Sequence, residues 1–326
     1  MPGTLIIGGG GMIGQKIAAK LNGDPASTTL LDLEFPVEGS GAASRVTGSI
    51  SDDRIIARLV ADRPDVIFHL AAILSGESER DFDKGWQVNM FANWRLLEAL
   101  RREHLACDGR YRPRVVFASS AAAFGPPFSG PVEDQFICEP RTSYGAQKVA
   151  SELMVSDFSR KGFIDGVSLR LPTICVRPGK PNSAASSFFS ALVREPLNGR
   201  RASVPLPLEF RHMHASPRSA AGFFLHASRM DTTLLDGRRS LNMPSVSCTI
   251  GEQVEALRDA AGSSVIELID MEPDPFIEAI VTGWAGAFST ERARSLGFEV
   301  EDSFAEIIRA YIEDDLPADR AAGQMD

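Results

Sequence analysis

The sequence predicts an α/β protein built on a doubly wound parallel sheet, with a smaller C-terminal lobe. Three observations carry this. An apolar run ending in glycines, residues 5–14 (LIIGGGGMIG), passes directly into residues with helical apolar spacing. A second short apolar run, residues 28–33, follows and contains an acid, Asp32, at its end. Strand-like and helix-like segments then alternate through the first half, as in βαβ units with helices on both faces of a sheet.

Leu5, Ile6 and Ile7 read as a strand buried on both faces and Met12 onward as the helix after it, so the glycines form the strand-to-helix turn. Gly8, Gly11 and Gly14 permit a tight turn, let backbone approach a pyrophosphate and let helix pack on strand. With Met12 and Ile13 they set a phosphate at the helix N-terminus, where free N–H groups and the positive dipole end favour an anion. Asp32 lies about twenty residues on, where a carboxylate accepts hydrogen bonds from ribose hydroxyls and repels a 2′-phosphate. NAD is therefore expected in preference to NADP.

A short strand through Val46 leads to Ser49 and Ile50, at a turn beside the expected place of an adenine ring, and to a helix in DRIIARLVA. Residues 65–72 (DVIFHLAA) form another buried strand, whose small terminal residues allow close backbone approach to a ligand or close packing. A long helix is predicted over residues 82–102. The next strand, RVVFAS from Arg114, carries Ser119 and Ser120 at its carboxyl end, in the crevice where such sheets bind ligands. Residues 126–143 form a proline-rich loop of a length expected of a lid or a site wall. Tyr144 then opens a helix on which Lys148 lies four residues later, on the same face. An ammonium near a phenol is expected to lower its pKa, making Tyr144 a base for an alcohol.

The 326 residues suffice for one large α/β domain, residues 1–172 with later segments returning to it, and a mainly substrate-binding lobe, 173–326. A net charge of −9 argues against nucleic acid or an anionic membrane as partner. With no leader pattern and no membrane-length apolar run, a cytoplasmic location is expected. Cys107, Cys138, Cys175 and Cys248 are scattered, and neither they nor the five histidines show metal-ligand spacing, so no metal is expected. Further helices are predicted at Ser187–Leu197, 216–227, Ile250–Ala261 and Phe304–Asp314.

These residues together resemble the extended short-chain dehydrogenase/reductases, the NAD-dependent epimerase/dehydratase family, with its Rossmann-type fold. The glycine turn, Asp32, DVIFHLAA, Asn89 and SSAAAFG (residues 119–125) match its motifs. So do Tyr144 with Lys148, LRLPTICVRPG (169–179) and ERARSLGF (291–298), so the resemblance spans nearly the whole chain. It implies Ser120, Tyr144 and Lys148 as catalytic residues, with Tyr144 and Lys148 also at the cofactor. It further implies cofactor contacts from Leu70, Ala71, Ala72, Asn89, Pro172 and Ile174, and a homodimer through the helices of residues 82–102 and 144–161.

Where family epimerases carry an acidic pair, this chain has Ser216 and Pro217, and Phe124 stands in place of a common tyrosine. Within the family the run of residues is similar to dehydrogenases of four-carbon sugar acids. That implies oxidation at C2 of D-erythronate or a close analogue, held by Ser75, Ser120, Tyr144, Asn182 and an arginine, Arg177 or Arg211, with Arg218 a further candidate. Two alternatives are epimerisation or dehydration of a nucleotide sugar with NAD recycled in the site, and a non-catalytic cofactor sensor. An intact Ser120, Tyr144 and Lys148 argues against the sensor.

Overall fold

The computed structural model describes residues 3–21, 27–35, 43–180 and 184–323. Strand β1 (Thr4–Ile7) turns through the glycines into α1 (Met12–Leu21), followed by β2 (Thr28–Asp32), β3 (Ser44–Thr47) and α2 (Asp53–Ala61). After β4 (Val66–His69) come the short helices α3 (Ser75–Arg80) and α4 (Phe82–Trp86). The predicted long helix then continues as a π-helical turn, Gln87–Phe91, and α5 (Ala92–Ala106). β5 (Arg114–Ser120), α6 (Ser143–Arg160) and β6 (Asp165–Leu171) complete the first half.

The second half holds β7 (Thr173–Ile174), α7 (Ser187–Leu197), β8 (Ala202–Val204), β9 (Arg211–Ala215), α8 (Pro217–Arg229), β10 (Ser240–Asn242) and β11 (Val246–Thr249). Then follow α9 (Ile250–Ala261), α10 (Ser263–Ile266), β12 (Ile269–Met271), α11 (Pro275–Val281), α12 (Glu291–Ser295), α13 (Phe304–Asp314) and α14 (Leu316–Gly323).

Seven strands form one parallel sheet in the order β10, β6, β5, β4, β1, β2, β3. The chain runs outward from β1 through β2 to β3, then crosses back to β4 on the other side. The crevice at that reversal, outside the carboxyl ends of β1 and β4, is where open α/β sheets bind ligands. Strand alternation assigns the side chains to two cores. Leu5 and Ile7 pack with Ile56 and Leu59 of α2, Leu96 and Leu100 of α5 and Val155 of α6. Ile6, between them, packs on the opposite face with Ile17 of α1 and with Ala220 and Phe224 of α8.

That second core draws in residues far along the chain. Leu241 of β10, Ala293 of α12 and Phe298 are buried in the same cluster as Phe68 and Val116 of the sheet. The remaining second-half elements have a core of their own, including Phe189, Leu192, Ile250, Leu257, Ile307 and Tyr311. There β9 lies between β7 and β11. The proline-rich loop is not a wall of the cavity described below. Its Val132 pairs with Phe288, and Asn242 of β10 bonds both Val132 O (2.9 Å) and the Asp134 carboxylate (2.6 Å), so the loop seals the edge of the sheet.

Candidate active site

A cavity of about 360 Å³ opens at the carboxyl edge of the sheet, lined by the glycine turn, the ends of β4 and β5, the start of α6, the segment after β6, and parts of β9 and the loop after α11. The turn is held by Leu31 O, which accepts the N–H groups of Gly8 (2.8 Å) and Gly9 (3.0 Å). Gly8 has φ +87°, and a Cβ there would lie 2.7 Å from Ala71 N; at Gly14 it would lie 2.4 Å from Gly8 O. These two glycines let turn, helix and β4 close up. Gly11 differs: a Cβ would meet only Gly8 O, at 3.4 Å, and the residue borders the cavity. α1 begins there with no acid in its first turn, so its initial N–H groups present an uncontested positive end to an anion. The cradle therefore fits a dinucleotide's pyrophosphate. Asp32 closes one side, its carboxylate accepting Gly10 N–H (2.8 Å) and Leu33 N–H (2.7 Å).

β5 delivers Ser119 and Ser120 to the cavity, and their side chains take different work. Ser119 is buried and donates to Glu152 of α6, whose carboxylate is also gripped by Arg170 of β6 at 2.7 Å. Ser120 accepts Ala122 N–H (3.2 Å), and it lines the cavity together with Tyr144, whose phenolate it favours. Thr142 caps α6 by accepting Gly145 N–H (3.1 Å), so Tyr144 stands in the first turn with its hydroxyl at Ser120. One turn on, Lys148 is 2 % exposed; it donates to Ala118 O (2.8 Å) and lies 4.8 Å above the Phe117 ring and 5.4 Å from the Tyr144 ring.

The electrostatics depart from expectation. Burial pushes Tyr144 up to about 12, and the groups opposing that rise are Arg177 and Ser120, not Lys148. Lys148 is itself brought down to about 7 by burial, against the pull of Glu152. Burial disfavours the charged form of Lys148, whose amine is directed at the Ala118 carbonyl. Arg177, bordering the cavity and bonded through Nε to Ile174 O (3.1 Å), is the cation that acts on Tyr144.

Comparisons with known proteins give the family. The NAD dependent epimerase/dehydratase family profile matches residues 4–210. A D-erythronate dehydrogenase of Cupriavidus necator is 41% identical, covering 95% of this chain and 98% of its own, and one of Haemophilus influenzae is 36% identical, covering 96% and 99%. A solved structure described as a nucleoside-diphosphate-sugar epimerase from Agrobacterium tumefaciens is 48% identical, with a TM-score of 0.90 over 97% of this chain and 95% of that one.

The chain belongs to the NAD dependent epimerase/dehydratase family. The family, its Rossmann-type fold, a nicotinamide cofactor and an enzyme of dehydrogenase type thus stand as the residues foretold. No helix among the described residues is long and apolar enough to cross a membrane.

As an epimerase/dehydratase member, the protein gathers Gly8, Gly11, Met12, Ile13, Gly14, Leu70, Ala72, Ser75, Ser120, Tyr144, Lys148, Pro172, Ile174 and Arg177 around one cavity. Ala71 stands behind it, its N–H on Ile7 O (3.1 Å). Ser49 and Ile50 lie at the neighbouring β3 end outside the lining, with the Ile50 side chain in the core. Asn182 falls outside the described residues. Asn89 does not reach the cavity: its side chain accepts Ile73 N–H (2.8 Å) and donates to Ile73 O (3.0 Å) and to Gln147 (2.7 Å), so it ties the β4 exit to α6. Two arginines are corrected as well. Arg211 starts β9 facing outward, pairs with Glu252 (3.2 Å) and leaves the cavity to its neighbour His212; Arg218 is bound to Glu313 (2.8 Å) and Asp314 (2.6 Å).

Residues missed by reading the chain include Ser186, His212 and Trp284, all in the lining. The alternation in HMHA was the available signal for His212, since it sets both histidines on the inner face of a strand. Trp284 had no signal, being placed by the fold alone.

Proposed function

We propose that the protein oxidises D-erythronate to its 2-oxo acid with NAD as cofactor. The observation that carries this is the gathering of Ser120, Tyr144 and Arg177 around one small cavity at the carboxyl edge of the sheet. The two relatives named D-erythronate dehydrogenase support the choice of acid. Gly8, Gly11, Met12, Ile13 and Gly14 hold the pyrophosphate, Asp32 the adenosine ribose, Ser49 and Ile50 the adenine surroundings, and Lys148, Pro172 and Ile174 the nicotinamide half. Bound there, NAD supplies the acceptor for the hydride that leaves C2.

The chain's own residues handle the proton and the orientation. Ser120 holds the C2 hydroxyl by a hydrogen bond, and Tyr144 removes its proton as the C–H electrons leave, so C2 becomes a carbonyl carbon. Arg177 faces the carboxylate, which a guanidinium grips through two oxygens. Arg177 also favours the Tyr144 phenolate, so one cation serves binding and the base. Ser75 and Asn182 complete the hydroxyl contacts. Residues 1–172 with their returning segments form the cofactor domain, and 173–326 mainly the substrate lobe. We place the protein in the cytoplasm as a homodimer, joined through the exposed Phe91 and Trp94 of the π turn and α5 and Leu153 of α6; light scattering that gave a monomer would remove the dimer.

The test is absorbance at the NADH band with purified protein, NAD and D-erythronate, where stoichiometric NADH is expected. The rival reading, epimerisation of a nucleotide sugar, has the name of the Agrobacterium structure in its favour. It requires product from a nucleotide sugar with no net NADH.

A further inference from the structure

We infer that Trp284 and His212 form an end stop that limits how many carbons an acid substrate can carry, so this cavity's far wall sets the length of the substrate. The inference rests on the oxidation proposed above and concerns specificity within it. Its starting point is size: about 360 Å³ is near the small end of ligand cavities, which run to about 1,000 Å³, and this one must admit a reactive ring as well as a substrate.

The far wall is built to stay where it is. His212 is fully buried, its ring stacked on Phe189 (5.0 Å between centroids, 9° apart), with Phe210 at 6.3 Å and Trp284 at 5.7 Å. Its Nε2 meets Thr173 Oγ1 at 2.8 Å, which joins the wall to the segment that lines the cavity beside Tyr144. The backbone at Trp284 is fixed, its main-chain N–H on Val281 O (3.0 Å), and Gly286 O two residues on accepts from the Ser247 hydroxyl of β11 (2.7 Å). A wall of packed rings cannot yield the space of another carbon with its hydroxyl without displacing several of them.

The wall acts by its shape. Trp284 Nε1 and His212 Nδ1 are screened from solvent and have no hydrogen-bond partner among the described residues. Atoms that water cannot reach are closed to a substrate hydroxyl as well while the rings stay packed.

The experiment compares kcat/KM for a four-carbon, a five-carbon and a six-carbon aldonic acid in the unaltered protein, Trp284→Ala and Trp284→Phe, each checked by thermal melting. Opening the wall is expected to raise the five- to four-carbon ratio in Trp284→Ala by about tenfold or more, the scale at which pockets discriminate by one carbon. Trp284→Phe, which folds with most of the ring in place, should hold that ratio within about threefold and raise KM more than it lowers kcat. If Trp284→Ala does not fold, Trp284→Leu takes its place in the same comparison. An unchanged ratio in the opened variant, with D-erythronate still turned over by the unaltered protein, overturns the end stop and leaves the oxidation standing. Absence of NADH with every aldonic acid in the unaltered protein overturns both.

Discussion

The two ends of the cavity are made of different material. At the glycine turn the surface is backbone, shaped by a few residues adjacent in sequence, and a side chain added at Gly8 or Gly14 collides with main chain. At the far end it is side chains, Thr173, Arg177, His212 and Trp284, drawn from three separated stretches. Backbone recognises what all dinucleotides share, and its demands are rigid. Side chains recognise what distinguishes one substrate from another, and they can be exchanged while the fold stays.

The contrast is open to breaking at several points. Between the two ends, Tyr144→Phe keeps the ring but removes the hydroxyl, so cofactor binding should persist while kcat falls by about 10² to 10⁴, the usual share of a general base. Wild-type turnover in that variant would remove Tyr144 from its role. At the backbone end, Gly14→Ala drives a Cβ onto Gly8 O, and should cost roughly 1–3 kcal/mol in urea unfolding together with a weaker cofactor affinity by fluorescence titration. A variant as stable and as tight as the parent would show that this end is less rigid than its contacts indicate. At the side-chain end, Arg177→Ala should raise KM for the acid by about ten- to a hundredfold, the worth of a hydrogen bond to a charged group. Arg211→Ala, which removes an exposed pair with Glu252, should stay within about twofold. Equal effects of the two would reverse the assignment.

The smallest effect is in acid. Burial holds His214 well below its ordinary range and His212 at about 3, so each stays neutral in the fold and gains a proton on unfolding below about pH 6.5. Their folded pKa values are depressed, so the stability they permit is full above that pH and is lost as pH falls. His214→Gln should flatten the decline between pH 6.5 and 5 by about 1.4 kcal/mol per pH unit. A slope equal to the parent's would mean that His214 is protonated in the fold.

The same division explains what the residues revealed before the structure. The glycine turn, the Asp32 strand and the Tyr144–Lys148 pair are local, spaced by the geometry of one turn or one helix, so the chain states them openly. Arg211 and Arg218 carry the right chemistry in the wrong direction, because strand phase and ion pairing on the surface decide where a long side chain goes. The electrostatics at Tyr144 were hidden for a similar reason. Spacing sets Lys148 beside it, but burial and the Ala118 carbonyl decide what that lysine can do, and Arg177 arrives from another segment. Trp284 is legible only when the loop after α11 has been folded against His212 of β9.

The return of α8 and β10 to the sheet has a consequence for how this chain can be divided. Cutting after residue 172 would leave Ile6, Phe68 and Val116 without Ala220, Phe224 and Leu241 against them, and β6 without its outer neighbour. The fragment would carry the glycine turn, Asp32, Ser120, Tyr144 and Lys148 on a sheet with one face covered only by α1. Neither piece is a separable cassette, so shuffling substrate preference between relatives calls for exchanging wall residues one by one, not for joining halves at the apparent seam.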